Sequence, residues 1–289
     1  MPDQDRQPGQ FEHLRPRMRA LAYPLLGSHA EAGEAVREVW VRLGRINPEE
    51  VADLAAWLTT VTARVCLSRL ESRGAGTEGR GGGRLPDVVV GRAGAAAPGG
   101  SVGLALLVAL EELAPAERVA LVLHDVFGLH VDQIATALDR STADTRKLAE
   151  RARRRTQGAR EADADGSPAV RRRLVEAFGT ALRDGDPAAL TAVLEPEAEL
   201  RADGGRPLPA ATAVFRGAQR VAERAVTLRQ GGPAFTPVLV NGAPGALLTR
   251  DGGPVALLGL AVRAGRISRA YVLLDPDRLA AIDVAGLAP

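Results

Sequence analysis

Along the first half of the chain, apolar side chains recur at three- and four-residue spacing. Phe11, Leu14, Met18, Leu21 and Leu25 form one such stripe, which predicts a helix that Gly27 and Ser28 interrupt. Ala32, Val36, Val39 and Leu43 predict a second helix from about residue 30 to 43, and Asn47-Pro48 marks a turn. A third helix carries Leu54, Trp57, Leu58, Val61, Val65 and Leu70. The pattern resumes between residues 101 and 157. One segment ends near Leu113, and Pro115 suits the first turn of the next helix, whose apolar positions are Val119, Leu121, Val122, Leu123 and Val126. A short helix from Val131 to Leu138, a tight Asp139-Arg140 junction and a long helix opening at Ser141 follow. Ser141 and Asp144 have the spacing of an N-cap and its acidic partner.

From Pro168 the period changes. Residues 170–182 and 188–194 read as helical, as do 215–228, and short apolar runs at 238–240, 246–248, 255–262 and 267–274 read as strands joined by Gly- and Pro-containing turns. Helices first and hairpin-linked strands after them predict an α+β layout, a sheet curled against helices around a concave interior, with 202–209 as a loop. Residues 74–100 contain ten glycines and two prolines and read as a linker. Within it Leu85-Pro86-Asp87-Val88-Val89-Val90 is an island of sticky residues able to dock. Residues 158–167, rich in Gly, Ala and Asp, read as a second joint.

Composition removes several classes of function. Cys66 is the sole cysteine, so neither a disulfide framework nor a thiolate metal site is expected. His13, His29, His124 and His130 have no metal-ligand grouping, and no metal or cofactor is expected. The start of the chain lacks a signal-peptide pattern, and no apolar run approaches the roughly 20 residues of a membrane span. A cytoplasmic protein without a membrane partner is the expectation.

The net charge of +2 says little, but residues 141–160 hold seven basic and two acidic side chains. Val131, Ile134, Ala135 and Leu138 would pack the short helix against Leu148 and Ala152 of the long one. That helix would then present Thr142, Thr145, Arg146, Lys147 and Arg151 outward, with Arg153, Arg154 and Arg155 as a cationic tail. A tight turn between two helices with a basic second helix is the geometry that enters a DNA major groove. An inert hairpin with a solvated second helix would give the same pattern. Trp40 and Trp57, with Arg42, Arg64, Arg69 and Arg73 around them, could stack single-stranded bases. Residues 1–73 nevertheless balance ten basic against ten acidic side chains, and core tryptophans would explain them equally.

The segment 11–157 resembles an extracytoplasmic-function RNA polymerase sigma factor. FEHLRPRMRALAYPLLGSHAEAGEAVREVWVRL and AAWLTTVTARVCLSRL carry the first part of the likeness, and LEELAPAERVALVLHDVFGLHVDQIATALDRSTADTRKLAERARRR the sharper second part. The remainder resembles the SnoaL-like extension of the SigJ-type subgroup, through RADGG at 201–205, DPDRL at 275–279 and LPD at 85–87. The resemblance implies a multidomain fold: two all-α sigma domains, a region 2 bundle and a region 4 helix-turn-helix, and then an α+β SnoaL-like (NTF2-like) cone. It sets region 2 at 1–73, the linker at 74–100, region 4 at 101–157, the joint at 158–167 and the cone at 168–289.

Its implied function is to bind core RNA polymerase and direct promoter recognition and transcription initiation, modulated by the cone. Glu34, Arg37, Glu38 and Trp40 would meet the polymerase, and Trp57, Thr60, Arg64 and Arg69 the minus-ten element. Thr142, Thr145, Arg146, Lys147, Arg151, Arg153, Arg154 and Arg155 would meet the minus-thirty-five element. Asp203, Gly204, Gly205 and Arg206, with Asp275, Pro276 and Asp277, would form an interdomain regulatory contact. The sequence names neither a small-molecule ligand nor an anti-sigma partner.

The chain departs from the family pattern in four places. Gly33 and Arg37 stand where an acid and a Gln are usual, and Ser68 and Glu71 where Asp and Arg are usual. The island at 85–87 lacks the subgroup's aromatic, and RADGGRP lacks a third glycine and the lysine, with Arg206 restoring a cation. These differences bear on promoter strength and on the contact between linker and cone.

Two other classes fit parts of the chain: a ligand-sensing helix-turn-helix regulator, and a cyclase or isomerase using the cone. For the enzyme, the candidate acids are Glu199, Asp203 and Asp251, with no histidine beyond His130 to pair with them. No catalytic residue is assigned, and a non-enzymatic protein is expected.

Overall fold

The computed structural model describes residues 6–45, 51, 53–74, 84–93, 102–164 and 167–287. In the first part, α1 (Arg6–Leu26), α2 (His29–Leu43) and α3 (Leu54–Gly74) pack on one another. The predicted stripes meet at their centre, where Phe11, Met18, Leu21, Leu25, Val36, Val39, Leu58 and Val65 are all buried. The Asn47-Pro48 turn lies outside the described residues.

The second helical stretch contains α4 (Leu104–Glu111), α5 (Pro115–Leu121), α6 (Val131–Leu138) and α7 (Thr142–Ala164). A single π-helical turn, Val122–Val126, extends α5. Asp139 ends α6 in the left-handed region at φ 53°, which an Asp tolerates better than most side chains. The hydroxyl of Ser141 accepts from the Asp144 N–H at 3.1 Å and donates to the Asp144 carboxylate at 2.7 Å, so the predicted cap is made.

The α+β part comprises α8 (Pro168–Asp184), α9 (Pro187–Val193), β2 (Leu194–Asp203), β3 (Ala213–Arg216), α10 (Ala218–Val226), β4 (Ala234–Val240), β5 (Ala243–Arg250), β6 (Gly253–Arg263), β7 (Arg266–Leu273) and α11 (Pro276–Ala280). With β1 (Val90–Arg92) these strands make, among the described residues, one seven-stranded sheet in the order β1-β4-β5-β6-β7-β2-β3. All neighbours are antiparallel except β2 and β7. Tight turns at Asn241-Gly242, Asp251-Gly252 and Ala264-Gly265 join β4 to β7, and both residues of each have positive φ. That backbone matches the twist of paired strands. β2 and β3 are absent from the sequence expectation: 194–203 lacks an uninterrupted apolar run, and residues 215–216, expected to begin a helix, end β3, with α10 starting only at Ala218.

One face of the sheet packs on α8, α9 and α10 through Phe178, Leu182, Leu190, Leu200, Leu248 and Leu258. The concave interior expected there is filled by these side chains. The ring of Phe235 lies so close over Gly179 that a Cβ there would fall 2.5 Å from it.

By packing, the chain divides into two units, residues 1–78 with 109–157 and residues 79–108 with 158–289. Two expectations need correction. The stretch 158–167 is not a joint up to residue 164, because α7 continues to Ala164; residues 165–166 lie outside the described residues. Nor is 74–100 a free linker throughout. Residues 84–93 belong to the α+β unit, where β1 adds an edge strand to β4, while 75–83 and 94–101 lie outside the described residues.

Candidate nucleic-acid interface

Ile134, Ala135 and Leu138 of the short helix α6 are buried, as are Leu148 and Ala152 of α7, whereas Val131, expected in the same set, is half-buried. This fixes which side of α7 faces solvent. Arg146 and Lys147 are exposed on its first turns, and Arg154 further along. Thr142 is half-buried and donates to Asp132 at 3.0 Å.

Thr145 is a correction. It is 1% exposed, and its hydroxyl donates to the Ser141 carbonyl at 2.9 Å, so it faces the core and not DNA. At position 145 the helical stripe, not the polar side chain, decides the direction.

The cationic tail is also not free. Glu117 is buried and accepts from Arg151 Nε at 3.1 Å and from Arg155 at 3.0 Å. Arg155 also donates to the Glu112 carbonyl. Asp125, in the π-helical turn, accepts from both Nε and Nη2 of Arg153, and these bonds hold the Arg153 guanidinium more firmly protonated than usual. The local excess of positive charge read from 141–160 is thus partly offset by two acids, Glu117 and Asp125, 28 to 38 residues earlier in the chain than the arginines they hold. Glu117 has no role in the sequence reading, although it stands in the quoted LAPAER. Its neighbour Arg118 is buried, donates to the Leu25 carbonyl at 2.9 Å, and is drawn down to about 10 by loss of solvent.

On α3, Trp57 and Thr60 are half-buried, and Arg64 is exposed with its guanidinium donating to the Thr136 carbonyl at 2.7 Å. Beside them a cleft of about 370 Å³ is lined by Arg17, Asp53, Thr60, Gln133 and Thr136. Arg69 does not join this group. It spans to α2 and pairs with Glu34 and Glu38, both at 3.1 Å. Two residues expected at a polymerase surface and one expected at DNA therefore form a single ion-pair network. The rest of the polymerase set is open: Arg37 is exposed, and Trp40, 40% exposed, lies tilted on Phe11 at a centroid distance of 4.5 Å, with Val41 exposed next to it.

In the α+β unit, Asp203 is buried and accepts from the Leu85 N–H at 2.8 Å, from Arg278 at 2.8 Å and from the Gly205 N–H at 2.9 Å. Arg278 also donates to the Leu85 and Pro86 carbonyls and lies 3.5 Å from Asp87. Asp275 caps α11 by accepting from the Asp277 and Arg278 N–H groups. A Cβ at Gly205 would fall 1.9 Å from its carboxylate.

The motifs RADGG and DPDRL thus meet, and what they hold is the island 85–87, despite its missing aromatic. Gly204 is buried at this junction, whereas Arg206, Pro276 and Asp277 are exposed. Arg278 is absent from the sequence-derived set, though it sits inside the quoted DPDRL. Of the candidate acids, Asp203 is committed to this contact. Glu199 pairs with Arg201 and Arg216, and Asp251 is an exposed turn residue.

Comparison with known proteins gives the family. The Sigma-70 region 2 family matches residues 10–75, and the Sigma-70 region 4 family matches 103–156. The chain is 33% identical over 272 residues to a probable ECF RNA polymerase sigma factor, SigI, of Mycobacterium tuberculosis, covering 90% of each. It is 32% identical over 289 residues to the ECF RNA polymerase sigma factor SigJ of the same organism, covering 93% of this chain and 92% of that one. The chain belongs to the extracytoplasmic-function RNA polymerase sigma factors.

The crystal structure of M. tuberculosis SigJ superposes with a TM-score of 0.74 at 31% identity, over 93% of this chain and 97% of that one. The likeness therefore extends through the α+β domain, and the expected order of helical sigma regions 2 and 4 and then an α+β domain is what the chain has. As a sigma factor, the protein binds core RNA polymerase and directs it to promoter DNA. Among the described residues, no helix is long and apolar enough to cross a membrane.

Proposed function

We propose that this sigma factor, acting in the cytoplasm and without catalytic chemistry of its own, divides promoter recognition between α7 and α3 and regulates it through the α+β domain. Thr142, Arg146, Lys147 and Arg154 supply the contacts to the minus-thirty-five duplex. Arg151, Arg153 and Arg155 are anchored to Glu117 and Asp125, and orient the exposed cations along the DNA backbone. Trp57, Thr60 and Arg64 hold the opened minus-ten strand, for which Arg64 has to leave the Thr136 carbonyl. Trp40, Val41 and Arg37 meet the polymerase, and Arg69 fixes Glu34 and Glu38 beside them.

The observation that carries regulation is the grip of Asp203 and Arg278 on residues 85–87. Those residues lie between the two promoter-reading segments in sequence, so whatever holds them limits how the segments are placed. Arg278→Ala removes the bonds to both carbonyls and leaves every promoter-facing residue intact. Run-off transcription with core polymerase is the test. A changed yield from the cognate promoter relative to wild type is expected, and an unchanged yield overturns the regulatory reading.

A further inference from the structure

The face of the sheet turned away from α8, α9 and α10 is apolar as well. Its register rows are Val238–Gly245–Gly259–Tyr271 and Leu247–Leu257–Leu273. Apart from the two glycines, every one of these side chains is buried, and none belongs to the helix-facing core. Gly259 leaves a notch, and the side chain of Leu104 sits in it, so close that a Cβ there would fall 2.8 Å from the Leu104 Cδ2. Leu104 opens α4, which has no polar side chain before Glu111. A helix apolar on every side needs a cover on every side.

The position of this segment is set by one residue. Asn241, buried at the β4–β5 turn, accepts from the Val89 N–H at 2.9 Å through its side-chain oxygen and donates to the Val102 carbonyl at 3.2 Å through its amide nitrogen. Its own N–H donates to the Val89 carbonyl at 2.8 Å. It therefore holds the chain on both sides of residues 90–101. An Asn here satisfies the left-handed backbone, φ 50°, and both hydrogen bonds at once.

We propose that the outer face of this sheet is a docking surface for residues 102–108, the start of the region 4 match, with Leu104 as its anchor and Asn241 as the residue that sets its register. The α+β unit thereby holds residues 102–108 as well as the island at 85–87. This deepens the regulatory reading and depends on it only for the consequence in transcription.

Two variants of the full-length protein test the contact by amide hydrogen exchange. Gly259→Val fills the notch. Exchange across 102–108 rises at least about tenfold while the strand amides keep their rates, and Leu104→Ala added to it restores slow exchange. Asn241→Asp keeps the turn and the acceptor for Val89 but loses the donor to Val102, so 102–108 loosens and the Val89 amide does not. Wild-type exchange across 102–108 in both variants, or equal acceleration throughout the sheet, overturns the docking surface. Run-off assays on the same variants separate the two readings. Faster exchange with unchanged transcription upholds the docking and removes its regulatory role, whereas wild-type exchange defeats the docking whatever transcription does.

Discussion

Arg151 of the helical unit and Arg278 of the α+β unit both donate to a buried carboxylate, yet the Arg151 side chain is 53% exposed and that of Arg278 15%. Arg155, the second partner of Glu117, is 54% exposed. An exposed guanidinium keeps a solvated face, so little is lost when its partner's charge is removed and water takes the partner's place. A buried one is committed, because removing its counter-charge strands a cation away from water. The same residue type therefore keeps contact with solvent in one unit and is held inside the other.

The largest effect expected from this contrast is on stability. Asp203→Asn leaves Arg278 without its nearest charge and should lower the unfolding free energy by about 3 kcal/mol, whereas Glu117→Gln should cost only about 1 kcal/mol because its arginines fall back on water. Urea unfolding of the α+β and helical transitions measures both, and equal losses would break the comparison.

Next comes binding. Arg146→Ala should weaken holoenzyme binding to the minus-thirty-five duplex by about 1–3 kcal/mol, while Thr145→Val, in the core, should leave base preference unchanged. Fluorescence anisotropy with point-substituted duplexes separates the two, and a shifted base preference in the Thr145 variant would contradict its orientation.

The smallest effect is on the Cys66 thiol, which burial pushes up to about 12 from 9.0. A thiol whose folded value is raised contributes stability that is complete below 9 and is lost as the pH rises toward 12. Cys66 should therefore resist alkylation at pH 8 in the native protein and react on unfolding. Rapid native labelling would place it outside the core.

The sequence by itself determined the helical stripes of α1, α2, α3 and α6, the Ser141 cap, the hairpin turns and the family. Each follows from spacing or turn chemistry within a few residues, where backbone geometry leaves little choice. Motifs such as LAPAER and DPDRL were legible as words, but the partners of Glu117, Arg118 and Arg278 were not. Ion pairs and hydrogen bonds join residues tens to hundreds of positions apart, and no local window contains both ends. Only the tertiary structure turned Thr145 inward, tied Arg69 to α2, and paired Arg151, Arg153 and Arg155 of α7 with Glu117 and Asp125. It also drew part of a glycine-rich stretch onto a sheet edge. In each case burial of an apolar face settled the backbone first, and the polar groups then took whichever partners that packing brought within reach.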